Sequence, residues 1–158
     1  MENKQSTRIA YGEALKALGD VRQDVLVCDA DLAHATMTAL FADAHPDRFY
    51  NFGIAECNMV AASAGLAHCG YTVFASTFAV FGAGRAFEQV RNAVCYTKAN
   101  VKLGLSHAGP SCGEDGGSHQ AVEDISLMRT LPNMTVLVPA DAVQMRKAVF
   151  AAAEMQGP

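Results

Sequence analysis

Short, largely apolar runs alternate along this chain with longer stretches in which apolar residues recur at helical spacing. The runs are Val25-Leu26-Val27-Cys28, Arg48 to Phe52, Thr72 to Ala75, Val101 to Leu105 and Met134 to Val138. Runs of this length predict strands, and the most apolar of them predict strands buried on both faces of a sheet. Between them the pattern predicts helices from Ser6 or Thr7 to about Leu18, from about Thr36 to Ala44 and from Glu56 to about His68. A further helix, capped by Ser76 or Thr77, carries Phe78, Phe81, Phe87, Val90 and Val94, and the next starts near His119 and carries Val122, Ile125, Leu127 and Met128. The last runs from Ala142 to Glu154 behind Asp141. Strands each followed by a helix predict a single α/β domain over residues 1–158, a doubly wound, mainly parallel sheet with helices on both faces.

Composition narrows the picture. Charged residues make up 18% of the chain against 51% hydrophobic, below the roughly 25% charged that is usual for soluble domains, which points to a surface partly covered by a partner. A net charge of −4, with no basic run or aromatic-basic alternation, argues against nucleic acid or an anionic membrane as the partner. No apolar run approaches membrane-spanning length. The five cysteines are scattered without CxxC spacing, so neither a zinc site nor a disulfide framework is expected, and no metal ligands are assigned. With a polar start, Met1 to Arg8, and no signal peptide, a reduced, cytoplasmic location is expected. A helix followed by Gly157-Pro158 normally leads into another strand, so the chain reads as part of a longer polypeptide.

Three stretches carry candidate chemistry. Glu56 stands where the second apolar run gives way to a helix of small and apolar residues, and the next charged residue along the chain is Arg85. Such a carboxylate is either a helix-start residue held by free backbone N–H groups or a tuned acid/base group with a raised pKa. Asp29 and Asp31 follow the first strand, where open α/β sheets bind ligands, although a helix cap there is an equal reading. The loop Ser106 to Gln120 is rich in glycine and holds His107, Glu114, Asp115 and His119, a composition commoner in functional loops than in plain connections. Phe78 and Phe81, one turn apart, are either core or a platform for a flat ring. No GxGxxG follows the first strand, and GxxxxGK[ST] and GxSxG are absent, which lowers the dinucleotide, P-loop and hydrolase readings.

Taken in order, Thr7-Arg8, Asp29-Ala30-Asp31-Leu32, Pro46-Asp47-Arg48-Phe49, Gly53-Ile54-Ala55-Glu56, Ser76-Thr77-Phe78, Gly113-Glu114-Asp115-Gly116 and Pro132-Asn133 through Pro139-Ala140-Asp141 resemble the central, pyrimidine-binding domain of transketolase. Each piece is weak alone, but the ordered set covers nearly the whole chain. The Gly-Ile-Ala-Glu and Ser-Thr-Phe pieces also resemble 1-deoxy-xylulose-5-phosphate synthase, the alternative enzyme; a non-catalytic dimerisation or regulatory module is the alternative outside catalysis. The resemblance implies thiamine diphosphate held at a homodimer interface, with its diphosphate and a Mg2+ or Ca2+ ion on a separate diphosphate-binding domain or subunit. The Gly-Asp-Gly…Asn motif of that domain is absent from this chain, and so is the family's C-terminal domain. By the resemblance, Glu56 would hydrogen-bond N1′ of the aminopyrimidine, and burial would raise its pKa for that purpose. Phe78 and Phe81 would pack on the pyrimidine, and Asp31 would lie near the thiazolium. Arg8 and His107 would meet a sugar phosphate, while Asp115 and His119 would contact hydroxyl groups near the reacting carbon. Where many relatives carry a Ser for the substrate phosphate, this chain has His34 and Ala35. The implied reaction is transfer of a two-carbon ketol unit between sugar phosphates, with the chain inactive on its own; its polar start at Met1 suggests the second subunit of a split enzyme.

Overall fold

The computed structural model describes residues 5–158, so the polar start at Met1 to Lys4 lies outside the described residues. Helix α1 (Thr7–Val21) begins where the Ser6 hydroxyl accepts a hydrogen bond from the Ile9 N–H, which satisfies one of the free donors of a helix start. Strand β1 (Val25–Asp29) follows and is buried throughout. The stretch expected as one helix from Thr36 to Ala44 is instead two short ones, α2 (Ala33–Thr36) and α3 (Ala39–Ala44), broken at Met37, whose φ of 66° lies in the left-handed region. Arg48 belongs to a short 3-10 turn, leaving β2 (Phe49–Asn51) shorter than expected.

Helix α4 (Glu56–His68) holds its expected bounds. It buries Glu56, Met59, Val60, Ser63 and Ala64 and exposes Asn58, Ala61, Gly65 and His68, so in the single chain one face of this helix, expected to be buried, meets solvent. Strand β3 (Thr72–Phe78) runs three residues past its expected end. Ser76 and Thr77 therefore cap no helix, and Phe78 lies on a strand. The reason is sheet pairing: Ser76 sits between Asp29 of β1 and Gly104 of β4 (Val101–Ser106), and Phe78 pairs with Ser106. A glycine is needed at 104, because a side chain there would run into the Tyr11 hydroxyl, which shares a 2.7 Å hydrogen bond with Ser76 Oγ.

The four strands pair in parallel, in the order β2-β1-β3-β4. One face of the sheet packs Tyr11, Leu15 and Leu18 of α1 with Phe41 and Val149 of α7 (Ala142–Glu154). The other packs Met59 and Val60 of α4 with Val90, Val94 and Met128. Each fully buried aliphatic side chain stabilises by roughly 1.5–3 kcal/mol. The expected doubly wound α/β architecture is therefore present, with four strands rather than five among the described residues. Met134 to Val138 joins no ladder. A groove of about 1030 Å³, lined by Leu103, Leu105, Met134, Val136 and Val138 among others, separates it from β4. Deprived of a paired neighbour, Leu137 is 50% and Val138 66% exposed, and the Thr135 N–H donates to the Pro158 carbonyl instead.

After β3 the chain forms two stretches with π-helical spacing, Val80–Arg85 and Val90–Tyr96, around the short α5 (Phe87–Gln89). The helix expected near His119 begins only at Asp124 as α6 (Asp124–Arg129), since residues 117–119 form a 3-10 turn.

Candidate active site

The carboxyl ends of β1, β3 and β4 lie side by side, and each leads into a segment that carries candidate residues. After β2, the Asn51 side-chain oxygen accepts hydrogen bonds from the N–H groups of Asp31 and Gly53, at 3.1 and 2.9 Å. This one amide ties the loop after β1 to the turn that delivers Glu56. Gly53 has φ of +68°, a backbone state that favours glycine. Sequence reasoning did not single out Asn51; its signal was a short amide at a strand end before a glycine.

Glu56 opens α4 and is 2% exposed. Its carboxylate is not left alone, although the next charge along the chain is 29 positions away. Arg85 Nη1 donates to Glu56 Oε2 at 2.9 Å, and the same guanidinium carbon lies 4.5 Å from the Phe81 ring centroid. Phe81 and Arg85, four residues apart, lie on one side of a π-helical stretch in which the Ala86 N–H donates to the Phe81 carbonyl, five residues back. Sequence reasoning missed the pair because the two charges are 29 positions apart.

Phe81 belongs to an aromatic group at the sheet's carboxyl edge. Its ring is parallel to that of Phe78, with centroids 6.1 Å apart. His107 packs on Phe78 at 4.0 Å, and His119 meets Phe81 edge-on at 5.3 Å. His107 adopts φ of 57° directly after β4, and its Nδ1 shares a 2.8 Å hydrogen bond with the Ser106 hydroxyl. Burial first, then the nearby Arg8 charge, holds its imidazole below the usual histidine range, with Asp115 pulling the other way.

A second pocket, of about 530 Å³, adjoins Phe78 and His107 and is also lined by Arg8, Ala35, Glu114 and Asp115. Here Arg8 donates to the Ala35 carbonyl at 3.2 Å. Five candidates (Arg8, Phe78, Phe81, His107 and His119) thus stand in one continuous patch, joined by Asp115 at its rim and by Glu56 through Arg85. Asp31 is exposed with φ of 63°, and among the described residues its carboxylate makes no hydrogen bond. Its neighbour Asp29 is the structural acid: fully buried, it accepts from the Leu32 N–H at 2.6 Å and from the Thr36 and Thr38 hydroxyls at 2.8 Å each. Burial raises its pKa against those donors.

With this geometry in hand, comparison with known proteins decides the family. The profile described as "Transketolase, pyrimidine binding domain" matches residues 3–158. The chain belongs to the transketolase pyrimidine-binding family. It is 49% identical over 151 residues to a putative transketolase C-terminal section of Methanocaldococcus jannaschii, covering 96% of this chain and 48% of that one. It is 44% identical over 156 residues to human transketolase, covering 98% of this chain and 25% of that enzyme. Among solved structures, a split gene transketolase described as an inactive beta4 tetramer superposes with a TM-score of 0.87 at 54% identity, over 99% of this chain and 50% of that one. Transketolase from Campylobacter jejuni gives 0.87 at 29% identity, over 97% and 24%. This transketolase domain thus spans about half or less of the length of the relatives it matches. Its site suits one end of a pyrimidine: a dry carboxylate and an aromatic face already hold a planar N–H donor, the Arg85 guanidinium.

Proposed function

We propose that this domain supplies the aminopyrimidine half of a thiamine diphosphate site in a transketolase that moves two-carbon ketol units between sugar phosphates in the cytoplasm. The observation that carries the reading is the buried Glu56 carboxylate, set at a helix start beside the Phe78–Phe81–His107–His119 group. Bound thiamine diphosphate supplies the carbon nucleophile of the reaction. Glu56 would hydrogen-bond N1′ through a shared proton and hold that proton there, in a niche closed to water, where the bond is stronger than in solvent. Phe78 and Phe81 orient the ring, an aromatic contact adding about 0.5–1.5 kcal/mol beyond area burial. Asp31, on the β1 side of the same edge, favours positive charge on the thiazolium.

Arg8 and His107 bind the sugar phosphate in the adjoining pocket, and Asp115 and His119 bind hydroxyl groups near the reacting carbon. Ala35 in that pocket presents no hydroxyl, so phosphate binding there leans on Arg8. The diphosphate and its Mg2+ or Ca2+ are held by a diphosphate-binding domain or subunit, and the site is completed in a homodimer of the assembled enzyme. The named relatives are transketolases, which supports this reading over the deoxyxylulose-phosphate synthase and over a non-catalytic module.

The test is Glu56→Gln in the enzyme reconstituted with its diphosphate-binding section. Loss of one positioned proton partner is expected to lower turnover by about 10²–10⁴-fold without loss of folded protein. Undiminished turnover removes Glu56 from the mechanism. The 158-residue chain alone is expected to turn over no xylulose 5-phosphate, even with cofactor and magnesium added.

A further inference from the structure

The niche built by Glu56 and Phe81 is filled by the chain itself. Arg85 lays a flat, delocalised cation near the Phe81 ring, 4.5 Å from its centroid, and donates an N–H to Glu56 at 2.9 Å. A planar ring with an N–H would use the same two contacts: an aromatic face to stack on and one carboxylate oxygen to bond. We propose that Arg85 is a resident stand-in for the pyrimidine, which keeps the dry Glu56 carboxylate paired until the ring arrives and is displaced by it. The inference rests on the reading of Glu56 as the ring's acceptor.

Four features fit a residue built to leave. The Arg85 side chain is 51% exposed while that of Glu56 is 3% exposed, so the guanidinium has solvent to move into and the carboxylate does not. Its single side-chain hydrogen bond among the described residues is the one to Glu56. Its backbone is held apart from that motion, because the Cys57 thiol donates to the Arg85 carbonyl at 3.5 Å. Beside it Gly84 leaves open space where a side chain would stand. The stand-in also answers a physical need. An unpaired buried carboxylate is strongly destabilising, so a site that waits empty for its ligand needs a temporary partner. The consequence is that the ring binds only the fraction of molecules whose Arg85 has swung out, which weakens apparent affinity by that fraction.

The probe is 4-amino-2-methylpyrimidine, a ring without thiazolium or diphosphate, titrated into the chain while the Arg85 Nε–H signal is followed by 15N NMR. Saturation is expected to move that signal to the position and solvent exchange rate of a free arginine. In parallel, Arg85→Met is expected to bind the probe about tenfold more tightly, with Arg85→Lys, which keeps the charge but not the plane, in between. Glu56→Gln is expected to lose probe binding and to show a free Arg85 signal from the start. An Arg85 signal unmoved at saturation, weaker binding by Arg85→Met, or no binding by wild type and Arg85→Met alike overturns the stand-in. Probe binding unchanged in Glu56→Gln overturns the reading of Glu56 itself, so the two failures are told apart. Circular dichroism melts of each variant separate a binding effect from unfolding, and the wild-type NMR arm needs no variant.

Discussion

Two buried or half-buried groups near the site behave oppositely, and each makes its own prediction. Asp29 is kept inside by three donors, and removing its oxygens strands the Leu32 N–H and two hydroxyls. Asp29→Ala is expected to cost about 1–3 kcal/mol for the unsatisfied donors, seen as a lower midpoint in urea unfolding. His107 titrates below the ordinary histidine range. Around pH 6.5 and just below it, the unfolded chain therefore takes up a proton that the folded chain refuses, and folding stability falls as pH drops through that window. The causes also fix the sign of substitutions: Arg8→Ala removes a positive neighbour and is expected to raise the His107 pKa, while Asp115→Asn lowers it further. Inorganic phosphate placed beside the ring favours its charged form, so wild-type His107, followed by its Cε1 proton in NMR, is expected to titrate higher with phosphate than without. The same phosphate leaving the titration unmoved would take His107 out of the phosphate pocket. At this scale the sequence was generous with identities and poor in partners. The isolation of Glu56 could be read directly, since no charge lies between it and Arg85. The contact between those two could not, because 29 positions separate them and no local spacing rule reaches that far.

Among the elements, the strands show how far an apolar run can be trusted. Val25 to Cys28 and Val101 to Leu105 became strands nearly as expected; the first is an unbroken apolar run with few other ways to bury both faces, while the second holds its place through pairing with β3 despite Lys102 and Gly104. The β3 boundary was misplaced by three residues, since Ser76 and Thr77 look like helix caps when met in isolation. In the fold their polarity is absorbed sideways, with Ser76 bonded to Tyr11 from α1, a contact across 65 positions that local pattern does not reveal. Gly104 is the small residue this contact demands. Gly104→Ala is expected to destabilise by about 1–3 kcal/mol through overpacking, with Tyr11→Phe in the same chain recovering part of the loss by removing the hydroxyl in the way. Met134 to Val138 shows the converse: an apolar run is a strand only if a neighbour pairs with it. Beside that run, Lys102 is 8% exposed and donates to the Met155 and Gly157 carbonyls at 2.8 and 2.5 Å. Burial pushes its ammonium from 10.5 down to about 8. Between those two values the unfolded chain binds the proton and the folded chain does not, so stability is expected to rise from pH 8 to 10.5. Lys102→Met should flatten that rise in a urea series across the same range.

At the level of the whole molecule, the two-faced α/β architecture was legible because strand-length and helix-length segments alternate from end to end. The low charged fraction led to the expectation of a shared surface, and the fold offers one face for it. Along α4, Asn58, Ala61, Gly65 and His68 are exposed on one face while Glu56 and Met59 are buried on the other, and Ile54, just ahead of the helix, is 79% exposed. The helix that carries Glu56 therefore presents Ala61 and Gly65 outward, and small residues let another backbone approach closely. A second copy of the chain is the expected occupant. Gly65→Glu places a charge on this face, and since nothing stands within 4 Å of a side chain added at that position, the isolated fold should melt within about 1 kcal/mol of wild type, the glycine-to-helix-former change being of that size. Self-association should fall at least tenfold, measured by light scattering over a concentration series. A wild-type chain that stays monomeric across the series would show that this face waits for a different partner, and a Gly65→Glu chain that associates as well as wild type would move the interface elsewhere on the molecule.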